Sequence, residues 1–209
     1  MLALALLSPP VAIGTALGSP LAFSLAPLVG LWAAVRTGGV VSAGVLAGLA
    51  AALDHRAALA ALPLLVAVRT RDGRLSGATR ARALLAALGA YALVVVPVAL
   101  LDPGAFLARA LEVPAAGPGL GLFNLLAYRG AESSAFAVAL AAAAPALALL
   151  LTLGLLRLRA SATVVAGLAS LIGIVLAPAI SPEVVVVPLV LFALAAVEGE
   201  AGRASSGFD

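Results

Sequence analysis

The sequence predicts an all-α fold, a polytopic transmembrane helical bundle of about eight spans, some of them short, with both termini in the cytoplasm. The 209 residues are 64% hydrophobic and only 10% charged, whereas soluble domains are about 45–50% apolar and about 25% charged. The few charged residues also leave long stretches without any charge. We therefore expect a multi-pass protein of the cell membrane, with the lipid bilayer as its main partner.

Eight charge-free stretches are the predicted spans. A span perpendicular to the bilayer needs ~20 residues. Ala57–Val68 and Val184–Val197 are short, since a 12-residue helix at ~1.5 Å per residue covers only about 18 Å. These two are expected to borrow flanking residues or to end inside the bundle. In chain order, the stretches are Leu2–Leu17, Pro20–Val35, Gly38–Leu53, Ala57–Val68, Ala83–Leu101, Ala135–Leu156, Ala160–Ile180 and Val184–Val197.

The arginines predict the orientation of the spans. Cytoplasmic loops carry an excess of Lys and Arg, and the segment Arg69–Arg82 holds five arginines and one acid, Asp72. Placing this segment, Arg36 and the pair Arg157/Arg159 inside requires two crossings between Arg36 and Arg69. The turn Asp54-His55-Arg56 then lies at the outer face.

The remaining segments complete the predicted organisation. Residues 1–197 form one transmembrane helical domain. Its outer loop, residues 102–134, has two apolar patches that are expected to form short helices in the membrane interface. Residues 198–209 are polar and are predicted to be a flexible cytoplasmic tail.

Composition also excludes several kinds of site. The chain has no cysteine, which excludes disulfides, thiolate nucleophiles and cysteine-based metal sites. All twelve cations are arginine, so there is no lysine for a phosphate-binding Walker motif or a Schiff base. The single histidine, His55, cannot build a multi-histidine metal site. We expect no metal, no cofactor and no nucleic-acid partner.

Asp54, His55 and Arg56 are the main candidate binding residues. An arginine can form paired hydrogen bonds with a phosphate, and a carboxylate can orient it or act as a base. The alternative is a polar turn that caps two helices. Arg129 and Glu183 are further candidates at outer span ends, although charges flanking spans are common.

Gly44 and Gly48 form a G-x-x-x-G pair on a predicted span. This spacing is typical of closely packed helices in membranes. Gly and Ala are abundant throughout this chain, so the pair indicates helix packing rather than a binding site.

The Gly-rich run Ser42–Leu53, the turn Asp54-His55-Arg56 and the apolar run Ala57–Val68 with Pro63 together resemble a recurring segment of membrane glycosyltransferases. These are the GT-C superfamily enzymes that use polyprenyl-phosphate sugars, and the similarity is closest to family 87, the α-mannosyltransferase-like group. Three further segments follow the family pattern in order: Ser8-Pro9-Pro10 with Gly18-Ser19-Pro20, Asn124–Arg129, and Ser181-Pro182 with Pro188.

The resemblance implies hexosyl or mannosyl transfer from a polyprenyl-phosphate sugar to a lipid or glycan acceptor at the outer face. Arg56, with His55 and Arg129, would hold the donor phosphate. The family's catalytic carboxylate lies in an early outer loop to which no residue here corresponds, so the chain resembles the C-terminal part only. A membrane partner is then expected to supply the N-terminal part. Family members often have tryptophan and histidine where Glu183 stands, and lysine in the turn at 54–56.

Two other functions remain open from the sequence: a transporter or permease subunit, and a non-catalytic membrane scaffold. Transporters favour charged or polar residues near mid-span, or broken helices in paired repeats. Here the acids and arginines gather at span ends. Ligand binding would separate the transferase from the scaffold, and vectorial flux would reveal a transporter.

Overall fold

The computed structural model describes residues 20–69, 76–104, 106, 129, 135–158, 160–176 and 185–206. These residues form helices and connecting turns without a strand, which confirms the predicted all-α class for this part of the chain. The first predicted span, Leu2–Leu17, and most of the loop 102–134 lie outside the described residues. The helices are α1 (Pro20–Arg36), α2 (Val40–Leu53), α3 (Ala57–Val66), α4 (Gly77–Leu101), α5 (Ala135–Leu155), α6 (Ala162–Leu176) and α7 (Val186–Ser206).

Helix α4 is the one helix in the described ranges that is long and apolar enough to cross a membrane, judged by length and composition. It has 25 residues and a mean hydropathy of 2.5 over its most apolar window. The other described helices contribute apolar stretches of 10–17 residues. Length and composition therefore support one membrane span in this part of the chain.

Helix α4 also begins earlier than predicted. The backbone N–H of Thr79 donates a hydrogen bond to Ser76 Oγ at 3.1 Å, and a serine at this position satisfies an otherwise free N–H of the first turn. The predicted span began at Ala83. Arg80 and Arg82 consequently lie on the helix rather than in the loop that precedes it.

Helices α2 and α4 pack closely because small residues line their contact. A Cβ atom added at Gly44 would meet the carbonyl oxygen of Ala83 and would lie 2.7 Å from Ala86 Cβ. A Cβ atom at Gly48 would meet the carbonyl oxygen of Ala87. Because the contact moves from Ala83 to Ala87 as it moves from Gly44 to Gly48, the two helices run parallel. The predicted role of Gly44 and Gly48 in helix packing is confirmed.

The main core joins α1, α2, α3, α4, α6 and α7, and its larger side chains come from α1, α3 and α7. Its largest fully buried side chains include Leu28 and Leu31 of α1, Leu64 of α3, and Leu191 and Leu194 of α7. Helix α6 contacts α3, α5 and α7. A Cβ atom at Gly167 would lie 2.7 Å from the Phe192 ring, so glycine lets α7 approach α6.

Polar residues gather at two opposite ends of this core. At one end, called here the turn end, the turn after α2 meets Ser24 of α1 and Ser170 of α6. At the other, called the glutamate end, Glu198 of α7 meets Trp32 of α1 and Thr163 of α6. Within α1, α6 and α7, the buried polar side chains belong to one or other of these two ends.

Large apolar side chains cover the outside of α4 and α5. Leu93, Leu100 and Leu101 of α4 are 72–86% exposed, and only 6% of the apolar window of α4 is buried. Leu150 of α5 is also mostly exposed. Isolated exposed leucines are normal, but continuous apolar surface marks contact with a partner or a membrane.

The predicted tail begins inside a helix. Helix α7 runs from Val186 to Ser206, so the expected boundary at residue 197 falls within it. Glu198, placed at the start of the tail by its charge, bonds to two other helices instead. Residues 207–209 lie outside the described part.

Candidate functional site

The turn between α2 and α3 is built by Asp54. Its backbone N–H donates to the Ala50 carbonyl at 3.0 Å and closes α2. Its carboxylate Oδ1 accepts the Arg56 N–H at 2.9 Å, and its carbonyl accepts the Ala57 N–H at 2.9 Å. Aspartate favours such turns because its side chain bonds to the backbone two residues later. The same residue thus ends one helix and starts the next.

The three side chains of the turn lie in different surroundings. The His55 side chain is 86% exposed, while that of Asp54 is 9% exposed, and His55 Nδ1 lies 3.9 Å from Asp54 Oδ1. Asp54 and Arg56 both line a small pocket, from whose lining His55 is absent. The structure therefore brings Asp54 and Arg56 together and leaves His55 towards the surface.

This pocket, called here the turn pocket, lies between the turn, α1, α6 and α7. Its volume of about 20 Å³ gives room for roughly one water-sized group. Two hydroxyl-bearing residues line it, fully buried Ser24 and 7% exposed Ser170. The remaining lining is the start of α3 and apolar parts of α6 and α7: Ala57, Gly173, Ile174 and Val187.

Ser170 is the unusual member of the turn pocket. Its Oγ atom is buried and has no hydrogen-bond partner among the described residues. Buried polar groups are nearly always paired, and an unpaired one calls for an explanation such as a bound molecule. Ser24 and Ser170 were not predicted as site residues, because both lie in charge-free stretches and no spacing in the sequence links them to the turn.

An apolar groove of about 390 Å³ adjoins the same turn. It ends at Leu53, the last residue of α2, and is open along one side of α1, α2 and α4. Its lining carries almost no polar surface, so it suits a hydrocarbon chain. The lining residues are Ala26, Pro27, Leu46, Leu49, Leu53 and Val94.

The other two predicted site residues do not join the turn within the described structure. Arg129 is exposed, and no ion pair connects it to Asp54 among the described residues. Glu183 lies outside them. No group of three His, Asp or Glu side chains suited to a metal ion occurs in the described ranges.

The glutamate end is a second polar cluster that the sequence analysis did not predict. Glu198 Oε1 accepts hydrogen bonds from Trp32 Nε1 at 2.7 Å and from Thr163 Oγ1 at 2.9 Å. Arg36 Nη1 lies 3.4 Å from the same oxygen, and the Arg36 guanidinium lies over the Trp32 ring, 5.3 Å from its centroid. These contacts join α1, α6 and α7, and we interpret the glutamate end as structural. The candidate binding site is therefore the turn end.

Comparison with known proteins gives no match: no family model, curated protein or solved structure matches the chain. The family resemblance in the sequence therefore rests on its motifs alone.

Proposed function

We propose that this chain is an integral protein of the cell membrane, an eight-span bundle with both termini in the cytoplasm. The support is the exposed apolar surface of α4 and α5, which would lie against lipid. Removing that apolar surface from water into the hydrocarbon of a bilayer is favourable by about 25 cal/mol for each Å² buried. Arg36, at the glutamate end, and the turn Asp54-His55-Arg56 would then mark the cytoplasmic and outer faces respectively.

A cysteine-labelling experiment tests this topology. The chain has no cysteine, so single cysteines report on their own positions. Ser76→Cys, at the start of α4, is expected to resist a membrane-impermeant thiol reagent in intact cells, whereas Ala116→Cys in the outer loop should react. Permeabilised cells, in which both variants should react, are the control. The opposite labelling pattern would reverse the topology.

We further propose that the turn end binds a polyprenyl-phosphate sugar and that the protein takes part in hexosyl transfer to a lipid or glycan acceptor at the outer face. The observation that carries this proposal is Arg56, which lines the turn pocket, while the adjacent Leu53 lines the apolar groove. A guanidinium binds phosphate with paired hydrogen bonds, and the groove would take the polyprenyl chain. No residue of the printed sequence is assigned as the catalytic base.

His55 and Asp54 have separate roles in this proposal. His55 is exposed beside Arg56 and would meet the phosphate from the solvent side. Asp54 holds the Arg56 backbone through its Oδ1 atom, which positions the arginine. Arg129 and Glu183 are retained as further donor-binding residues on the basis of the sequence pattern alone.

Binding of farnesyl phosphate in nanodiscs tests the role of Arg56. Arg56→Ala is expected to raise Kd about tenfold, because hydrogen bonds to charged groups contribute roughly 1.5–3 kcal/mol each and ~1.4 kcal/mol corresponds to one decade. Arg56→Lys should recover only part, since lysine keeps the charge without the paired donors. Arg80→Ala is the matched control, because Arg80 is exposed at the start of α4.

Two outcomes would contradict the donor-binding proposal. If wild type does not bind the probe, or if Arg56→Ala binds it as tightly as wild type, the turn is a polar helix cap and the scaffold function is favoured. Transport of a solute across vesicles containing the purified protein would instead favour the permease function.

A further inference from the structure

The turn pocket has a chemical character of its own, apart from the phosphate-binding role of Arg56. Its Ser170 hydroxyl is buried without a partner among the described residues. Its Asp54 carboxylate is 9% exposed and receives one backbone N–H through Oδ1. A carboxylate has room for further hydrogen bonds. A buried hydroxyl and a largely buried carboxylate therefore belong to residues that line the same small space.

Size and charge restrict what this space can hold. With room for about one water-sized group, the pocket is too small for a phosphate. An anion would be repelled by the Asp54 carboxylate and a cation by the Arg56 guanidinium, since both residues line the pocket. A neutral hydroxyl group avoids both repulsions. It can donate to Asp54 and accept from Ser170 at the same time.

We propose that the turn pocket binds one hydroxyl group of the ligand's polar part, an alcohol or sugar hydroxyl, between Asp54 and Ser170. The proposal rests on the proposed function, because the molecule whose phosphate meets Arg56 at the pocket entrance also supplies this hydroxyl. It makes Ser170 a specificity-determining residue. A ligand with a bare phosphate leaves the Ser170 hydroxyl unpaired, whereas a hexose ester satisfies it.

Two probes, one with and one without the sugar, test this inference. The Kd values of farnesyl phosphate and of farnesyl phosphate esterified to mannose or glucose are measured in nanodiscs, and the tighter of the two esters is used. Ser170→Ala is expected to raise the Kd of the ester about fivefold to tenfold, which is the usual effect of losing one buried hydrogen bond. Binding of farnesyl phosphate should remain unchanged.

The chain offers a matched control in Thr152. Its Oγ1 atom is also buried without a described partner, but Thr152 does not line the turn pocket. Thr152→Val should leave the Kd of both probes unchanged. Neither substitution is expected to lower the melting temperature, because each removes a buried hydroxyl that has no partner among the described residues.

The outcomes separate this inference from the proposed function. If Ser170→Ala weakens both probes equally, or neither, the hydroxyl site is wrong and the phosphate site stands. A lower melting temperature with unchanged binding would show that Ser170 holds a structural water, which also overturns the inference. If wild type binds neither probe, the donor-binding proposal fails and the hydroxyl site fails with it.

Discussion

Replacing Gly44 and Gly48 together with leucine is expected to cause a large loss of stability. In the structure, even a Cβ atom at either position would meet a backbone carbonyl of α4, and a backbone cannot move aside as a flexible side chain can. Overpacking costs about 1–3 kcal/mol at each site, and the separated helices also lose dispersion contacts along the interface. The melting temperature in detergent should fall well below that of wild type.

Gly89 and Gly154 provide the control for this double variant. Nothing lies within 4 Å of a Cβ atom added at either position, and Gly89 belongs to α4 itself. Gly89→Leu and Gly154→Leu should therefore melt close to wild type. A Gly44→Leu/Gly48→Leu protein with an unchanged melting curve would mean that α2 and α4 do not pack through this face.

The second large effect is expected for Glu198→Ala. The substitution leaves Trp32 Nε1 and Thr163 Oγ1 without their acceptor. Because each hydrogen bond to a charged group contributes about 1.5–3 kcal/mol, we expect the free energy of unfolding to fall by about 3 kcal/mol. The Arg36 ion pair adds little, since that side chain is 45% exposed and solvent weakens such pairs. Denaturant titration in mixed micelles measures the loss.

Glu198→Gln separates the hydrogen bonds from the charge. The amide oxygen of glutamine can still accept from Trp32 and Thr163, but it no longer pairs with Arg36 as an ion. We expect a loss well under half of that for Glu198→Ala. Equal stability of Glu198→Ala and wild type would show that this cluster does not hold the helices together.

Much of the fold was predictable because charged residues separate the apolar stretches of the chain. Arg36 is the last residue of α1, the turn at 54–56 separates α2 from α3, and Arg157 follows α5. Each described helix overlaps one of the predicted charge-free stretches, although α4 also includes Arg80 and Arg82 and α7 extends past Glu198. The packing of Gly44 and Gly48 also followed from their spacing. These features depend on local composition, which a single sequence reports directly.

The discrepancies arise where a residue's role depends on distant contacts. Glu198 was assigned to a tail because of its charge, yet its partner Trp32 is 166 positions away. Ser170 resembles any other small residue of an apolar helix until α1 and α3 are packed against it. Asp54, His55 and Arg56 were all predicted as candidates from the sequence. Only the packing of α6 and α7 against the turn shows that Asp54 and Arg56 line a pocket and that His55 does not.

The convergence of donors on Glu198 has a mechanical consequence. One carboxylate oxygen fastens α1, α6 and α7 together at the glutamate end, whereas the same three helices surround the turn pocket at the other end. We therefore expect that any widening of the pocket separates α1, α6 and α7 at the turn end more than at the glutamate end.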